Sequence, residues 1–136
     1  MTDADWLLDD LRAAVGGPDT TLRSVRAGVD VLPAVQASLP DLVVLDLQIG
    51  NMGGMATCMH LRLEAGAGRI GDVPILMLLD RRPDVFLAKR AGADGWLLKP
   101  LDAIRTRKAV HALLRGERDE DPTQLPPATV GSLTVG

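Results

Sequence analysis

Unbroken apolar runs alternate along the chain with segments in which apolar residues recur every three or four positions. The unbroken runs cover residues 41–47, 74–79 and 95–98. Runs this rich in Leu, Val and Ile are typical of strands that are buried on both faces of a sheet. A weaker pattern over residues 20–27 predicts one more strand.

The segments with helical spacing predict helices between these strands. They cover residues 5–15, 31–37, 55–64, 84–91 and 102–115. Strands that alternate with helices across short turns favour right-handed crossovers and a parallel sheet. The pattern therefore predicts an α/β fold with a doubly wound parallel sheet and helices on both faces.

Composition limits the domain organisation. A chain of 136 residues is long enough for one compact domain and too short for two independent cores. After Gly116 the sequence turns acidic and then rich in Pro, Gly, Ser and Thr. We expect one domain over residues 1–116 and a disordered tail over residues 117–136.

Charge and cysteine content exclude several classes of protein. The formal net charge of −3 argues against nucleic-acid binding by phosphate neutralisation. A single cysteine, Cys58, allows neither a disulfide framework nor a zinc site. No apolar stretch approaches the roughly 18 residues needed to span a bilayer, and residues 1–5 do not resemble a signal peptide. We expect no membrane contact and a cytoplasmic location.

Two opposite charges end two of the predicted strands. Asp46 lies at the end of the first long apolar run, and Lys99 follows residues 95–98 directly. The carboxyl ends of parallel strands share one edge of the sheet, where such folds place their sites. Asp46 and Lys99 are therefore expected to meet and to form a pair that can bind a phosphoryl group.

These motifs together resemble the receiver domain of bacterial two-component response regulators. The most specific match is residues 91–100, Ala-Gly-Ala-Asp-Gly-Trp-Leu-Leu-Lys-Pro. The match of the strand that ends at Asp46 is nearly as specific. The resemblance covers about residues 5–115. It implies a flavodoxin-like fold and a signalling role rather than an enzymatic one.

The resemblance also implies roles for particular residues. Asp46 matches the aspartate that accepts a phosphoryl group from a histidine kinase, and Lys99 matches the lysine that pairs with it. Pro100 matches a proline whose preceding peptide is usually cis. A Mg²⁺ ion would be held by Asp3, Asp46 and the main-chain carbonyl of Gln48, and would neutralise the phosphoryl oxygens during transfer.

The sequence departs from the family pattern in ways that affect its expected signalling. Only Met1 and Thr2 precede Asp3, so the N-terminal strand is expected to be missing or truncated, and the Mg²⁺ site to lack one acid and be weakened. Leu79 replaces the Ser or Thr that senses the phosphoryl group, and Trp96 replaces the switch Tyr or Phe. Glycines in the loop after Asp46 predict greater mobility there.

Three functional hypotheses remain open. The first is an atypical single-domain response regulator that acts by protein–protein contacts, and the second is a pseudo-receiver that binds partners without phosphorylation. The third is a small doubly wound nucleotide-binding protein or enzyme. For the first two, we expect a histidine kinase or another phosphodonor as a partner, and an effector or a second copy bound through the basic fourth and fifth helices. Those basic residues are Arg81, Arg82, Lys89, Arg90, Arg105, Arg107 and Lys108.

Overall fold

The computed structural model describes residues 5–15, 23, 25, 28–47 and 53–117. Its helices are α1 (Asp5–Val15), α2 (Val31–Ala37), α3 (Gly54–Gly66), α4 (Val85–Ala91) and α5 (Ala103–Leu114). Its strands are β1 (Val43–Asp46), β2 (Ile75–Leu79) and β3 (Gly95–Leu98), and short 3-10 turns, Gly28–Asp30 and Arg82–Asp84, precede α2 and α4.

The three strands of the described part form a parallel sheet in the order β1-β2-β3. Val43 lies opposite Ile75, and Leu76 lies opposite Gly95. Every residue of β2 is buried, as expected for a central strand of a sheet covered on both faces. The predicted α/β fold with a parallel sheet is confirmed.

Side chains that alternate along the strands divide the core in two. On one face Leu45, Met77 and Trp96 pack with residues of α2, α3 and α4. On the other face Leu76, Leu78 and Leu97 pack with residues of α1 and α5. This alternation places helices on both sides of the sheet.

Two predictions about the N-terminal half fall largely outside the described residues. The predicted strand over residues 20–27 includes only Arg23 and Val25 among them, and neither belongs to a strand there. Residues 1–4, where the first strand was expected to be missing or truncated, are not described. Both expectations remain predictions, as does the tail beyond Glu117.

Candidate functional site

Asp46 ends β1 and is almost fully buried, with 2% of its surface exposed. The residue after it, Leu47, donates its N–H to the carbonyl of Leu78, which keeps β1 paired with β2 to its very end. The carbonyl of Leu47 accepts the N–H of Gly54 at the start of α3. These two hydrogen bonds fix the backbone immediately after the carboxylate.

Lys99 follows β3 and brings its ammonium to the same edge of the sheet. Its N–H donates to the carbonyl of Leu79, at 2.9 Å, so it continues the pairing of β2 with β3. Its Nζ lies 2.7 Å from Oδ1 of Asp46. The Lys99–Pro100 peptide bond is cis. The structure thus brings together the two charges that the sequence places 53 residues apart.

Asp80 is a third charged residue at this edge, and it was not among the site residues predicted from the sequence. It follows β2 directly, and its Oδ1 lies 3.2 Å from Nζ of Lys99. Its side chain is 42% exposed, whereas that of Lys99 is 13% exposed. The sequence could have predicted this position, because an acid immediately after a buried parallel strand lies at the same edge of the sheet as Asp46.

The site therefore contains two carboxylates around one ammonium. Burying a carboxylate such as that of Asp46 costs free energy unless an opposite charge and hydrogen bonds compensate for it. The contact with Lys99 supplies the opposite charge. Asp80 binds the same ammonium from the solvent side. With both acids ionised, the three side chains carry a net charge of −1, which follows from two negative groups and one positive group.

The described residues supply only part of the predicted metal site. Asp46 offers carboxylate oxygens, the ligand type that Mg²⁺ prefers. Asp3 and Gln48, the other predicted ligands, lie outside the described residues. Within the described ranges, no group of three or more His, Cys, Asp or Glu side chains is arranged to hold a metal ion.

The two predicted switch positions are both inside the core. Leu79 ends β2 and Trp96 lies in β3, and each is fully buried in the same hydrophobic cluster. The Trp96 indole N–H has no hydrogen-bond partner among the described residues. The Nζ of Lys89 lies 5.6 Å from the centroid of its ring. Packing therefore holds Trp96 in place, and the apolar Leu79 has no hydroxyl with which to sense a phosphoryl group.

Several of the basic side chains predicted to form a partner surface contact the domain itself. Arg107 donates from Nε to the carbonyl of Ala14, at 3.0 Å, and so caps the end of α1. Arg81 binds Asp84 at 3.3 Å. α4 and α5 belong to opposite faces of the sheet, and both contact β3. The surface beside β3 is therefore basic only in part, because some of its cations are paired within the domain.

A doubly wound α/β domain with an aspartate and a lysine paired at the carboxyl edge of its sheet defines a flavodoxin-like receiver fold. A comparison with known protein families supports this assignment of the fold. The family model described as "Response regulator receiver domain" matches residues 2–111. The chain belongs to this family, and is a receiver domain of two-component signalling.

Individual relatives support the same assignment. The DNA-binding response regulator MtrA of Mycolicibacterium smegmatis is 37% identical over 127 residues, which cover 92% of this chain and 53% of that protein. MtrA of Mycolicibacterium paratuberculosis is 37% identical over 100 residues, 72% of this chain and 41% of that protein. The chain thus spans about half the length of these relatives or less, so their whole activity does not transfer to it.

A solved structure supports the fold. The two-component response regulator of the LuxR family from Aurantimonas sp. matches with a TM-score of 0.76 at 23% identity, over 90% of this chain and 87% of that one. In the part of this chain that the structure describes, none of the helices has the length and apolar character needed to cross a bilayer.

Proposed function

We propose that this receiver domain accepts a phosphoryl group on Asp46. The observation that carries the proposal is the 2.7 Å contact between Oδ1 of Asp46 and Nζ of Lys99 at the carboxyl edge of the sheet. Family membership supports it, because the segments that contain both residues lie inside the matched range. The phosphodonor is a histidine kinase or a small acyl phosphate.

The chemistry is a displacement at phosphorus. A carboxylate oxygen of Asp46 forms a bond to phosphorus while the bond from phosphorus to the donor's leaving group breaks, and the leaving group departs with the electron pair. The carboxylate that is paired with Lys99 attacks directly, so the reaction requires no separate base. Lys99 then lies beside the new phosphoryl oxygens as a compact positive charge.

The proposal includes a Mg²⁺ ion held by Asp46, Asp3 and the Gln48 carbonyl. The carboxylate of Asp46 fits that ion in ligand type. When bound, Mg²⁺ supplies neutralisation of the negative charge on the phosphoryl oxygens. In the family an acidic pair at the end of the first strand holds the ion. Asp3 matches the second acid of that pair and Thr2 stands in place of the first, so we expect weaker affinity than the full pair would give.

The output is proposed to be contact with another protein beside β3. Lys108 and Arg90 are exposed on α5 and α4, and the apolar side chains of Phe86 and Ile104 are exposed on the same two helices. Exposed apolar groups among cations suit a partner with an acidic rim around an apolar centre. That partner is an acidic effector or a second copy of the chain.

A second candidate function is partner binding that does not depend on phosphorylation. Leu79 and Trp96 support it, because both are fully buried and neither side chain makes a hydrogen bond to another described residue that a phosphoryl group could change. A group without differential contacts in two conformations cannot shift the balance between them. No observation of the described residues favours the hypothesis of a nucleotide-binding protein or enzyme.

The test is incubation with acetyl phosphate and Mg²⁺, followed by intact mass measurement. We expect one added phosphate on the wild-type chain and none on Asp46→Asn, whose amide is not a nucleophile. Asp41→Asn, at the opposite end of β1, is the matched control and should be labelled like the wild type. Labelling of Asp46→Asn to the same extent as the wild type would contradict the phosphoacceptor role.

The labelled sample also separates the two candidates. If phosphorylation changes hydrogen exchange in β2 and β3 around Trp96, the modified Asp46 is coupled to the rest of the domain. If the adduct forms and exchange there is unchanged, binding that is independent of phosphorylation is favoured.

A further inference from the structure

The phosphoacceptor site contains a carboxylate that the proposed reaction does not use. Asp80 lies just beyond β2, and its Oδ1 is 3.2 Å from Nζ of Lys99. Lys99 is the cation that would bind the incoming phosphoryl group, and one of its contacts is already made to Asp80. The side chain of Asp80 is 42% exposed, so it lies on the solvent side of the buried Asp46.

We propose that Asp80 is a built-in competitor of the phosphoryl group for Lys99, and that it slows phosphorylation of Asp46. The inference rests on the phosphoacceptor role proposed above. Asp80 is a positioning residue in this proposal, because it acts on the reaction through Lys99 and through its own charge, and it forms no bond to phosphorus.

Two physical effects act in the same direction. An ammonium that is ion-paired with Asp80 at 3.2 Å must give up or share that contact before it can bind phosphoryl oxygens. A carboxylate this close to the site also repels an anionic donor, and partial exposure weakens that repulsion without abolishing it. Neutralising Asp80 removes both effects and leaves Asp46 and Lys99 in place.

The measurement is the rate at which acetyl phosphate with Mg²⁺ adds a phosphate, followed by intact mass. Asp80→Asn keeps the shape of the side chain and removes its charge, and we expect it to be labelled about tenfold faster than the wild type, the size expected for one partly screened charge near the reacting group. Asp80→Glu keeps the charge and should remain slow. Asp72→Asn removes the same charge from an exposed position before β2, at the opposite edge, and should match the wild type.

A change of donor separates a charge effect from a purely structural one. Phosphoramidate carries less negative charge than acetyl phosphate at neutral pH, so the acceleration by Asp80→Asn should be smaller with it. A structural disturbance would change both rates by the same factor. Asp80→Ala provides a second uncharged variant and should be faster than the wild type too.

The possible results are distinct. Labelling of Asp80→Asn at the wild-type rate would overturn the competitor role and leave the phosphoacceptor role intact, and slower labelling would show that Asp80 assists the reaction. Labelling of Asp80→Asn alone, with the wild type unlabelled, supports both proposals. If neither chain is labelled although both are folded by circular dichroism, the phosphoacceptor role fails and the competitor role is rejected with it.

Discussion

Gly54 shows how closely a single residue supports the site. It begins α3, and its N–H donates to the carbonyl of Leu47. A Cβ at Gly54 would lie 2.9 Å from the carbonyl carbon of Asp46 and 2.9 Å from Cα of Leu47. Both neighbours are backbone atoms of the segment that carries the phosphoacceptor, and they cannot move aside without moving Asp46.

We expect Gly54→Ala to lower the free energy of unfolding by about 3 kcal/mol, because overpacking against backbone cannot be relieved by a rotamer change. It should also slow labelling of Asp46 by acetyl phosphate. Urea denaturation and intact mass measure the two effects.

Gly66→Ala is the matched control, since nothing lies within 4 Å of a Cβ at that position of the same helix. Its stability should be unchanged or higher by about 0.5 kcal/mol, from the better helix propensity of Ala. Equal stabilities of the two variants would show that α3 does not contact the Asp46 backbone as described.

The sequence predicted which residues form the site only where a residue ends a recognisable strand and also lies in a family motif. Asp46 and Lys99 were found because each ends a clear strand run and lies in a motif of the family. Asp80 also follows a clear strand, but the family resemblance assigns a role only to its neighbour, Leu79. Gly54 gave no signal in the sequence, because the requirement for glycine comes from a contact between α3 and β1 rather than from a turn.

At the scale of elements, Arg62 connects α3 to its neighbours through its guanidinium group. Nε donates to the carbonyl of Gly92 at 2.9 Å, Nη1 donates to the carbonyl of Val73 at 3.1 Å, and Nη2 binds the carboxylate of Asp94. Asp94 in turn accepts the N–H of Ile75, at 2.8 Å. One side chain therefore joins the end of α4, the start of β2 and the turn before β3.

We expect Arg62→Met to lower the free energy of unfolding by about 3 kcal/mol. The change keeps the apolar stem but leaves carbonyls and a partly buried carboxylate without their donor. Urea denaturation measures the loss. Arg69→Met, which removes the pair between Glu64 of α3 and the exposed Arg69 on the turn after it, should have a much smaller effect. Similar losses for both variants would contradict the connecting role of Arg62.

Among the described residues, periodicity predicted the type and order of the helices and strands but not the residues at which they begin and end. The predicted strand over residues 41–47 is shorter in the structure, Val43–Asp46, and the apolar Leu42 and Leu47 on either side of it pack into the two hydrophobic clusters. The predicted helix over residues 84–91 begins at Val85 after a 3-10 turn that contains Pro83. The last helix begins where Asp102 accepts the N–H of Arg105, a cap that the sequence does suggest.

At the scale of the molecule, the family fold follows from a sheet with an apolar cluster on each face. The alternation of buried side chains along β2 makes Met77 part of one cluster and Leu76 part of the other. Sequence predicted this arrangement because parallel strands read as continuous apolar runs. It could not predict Arg62 as a connecting residue, because its partners lie in two distant segments, at Val73 and at residues 92–94, that only the tertiary fold brings together.

The cysteine makes the stability of the whole domain depend on pH in the alkaline range. Cys58 is fully buried, and its thiol donates to the carbonyl of Ala91 at 3.3 Å. Burial raises the pKa of the Cys58 thiol from 9.0 to about 11, although nearby Arg62 partly opposes the effect. The folded chain therefore retains a proton between these two pH values that the unfolded chain has lost.

Above pH 9 the unfolded chain therefore binds fewer protons than the folded chain, so the free energy of unfolding must fall as the pH rises. The contribution of Cys58 is fully present below pH 9 and should be lost at about 1.4 kcal/mol per pH unit up to about pH 11. Urea denaturation at pH steps from 8 to 11 measures this slope. Cys58→Ala should have a shallower slope over the same range, and the chain contains no tyrosine to add an ionisation of its own there. The two proteins differ in no other ionisable group, so equal slopes would show that Cys58 ionises in the folded domain as easily as in the unfolded one.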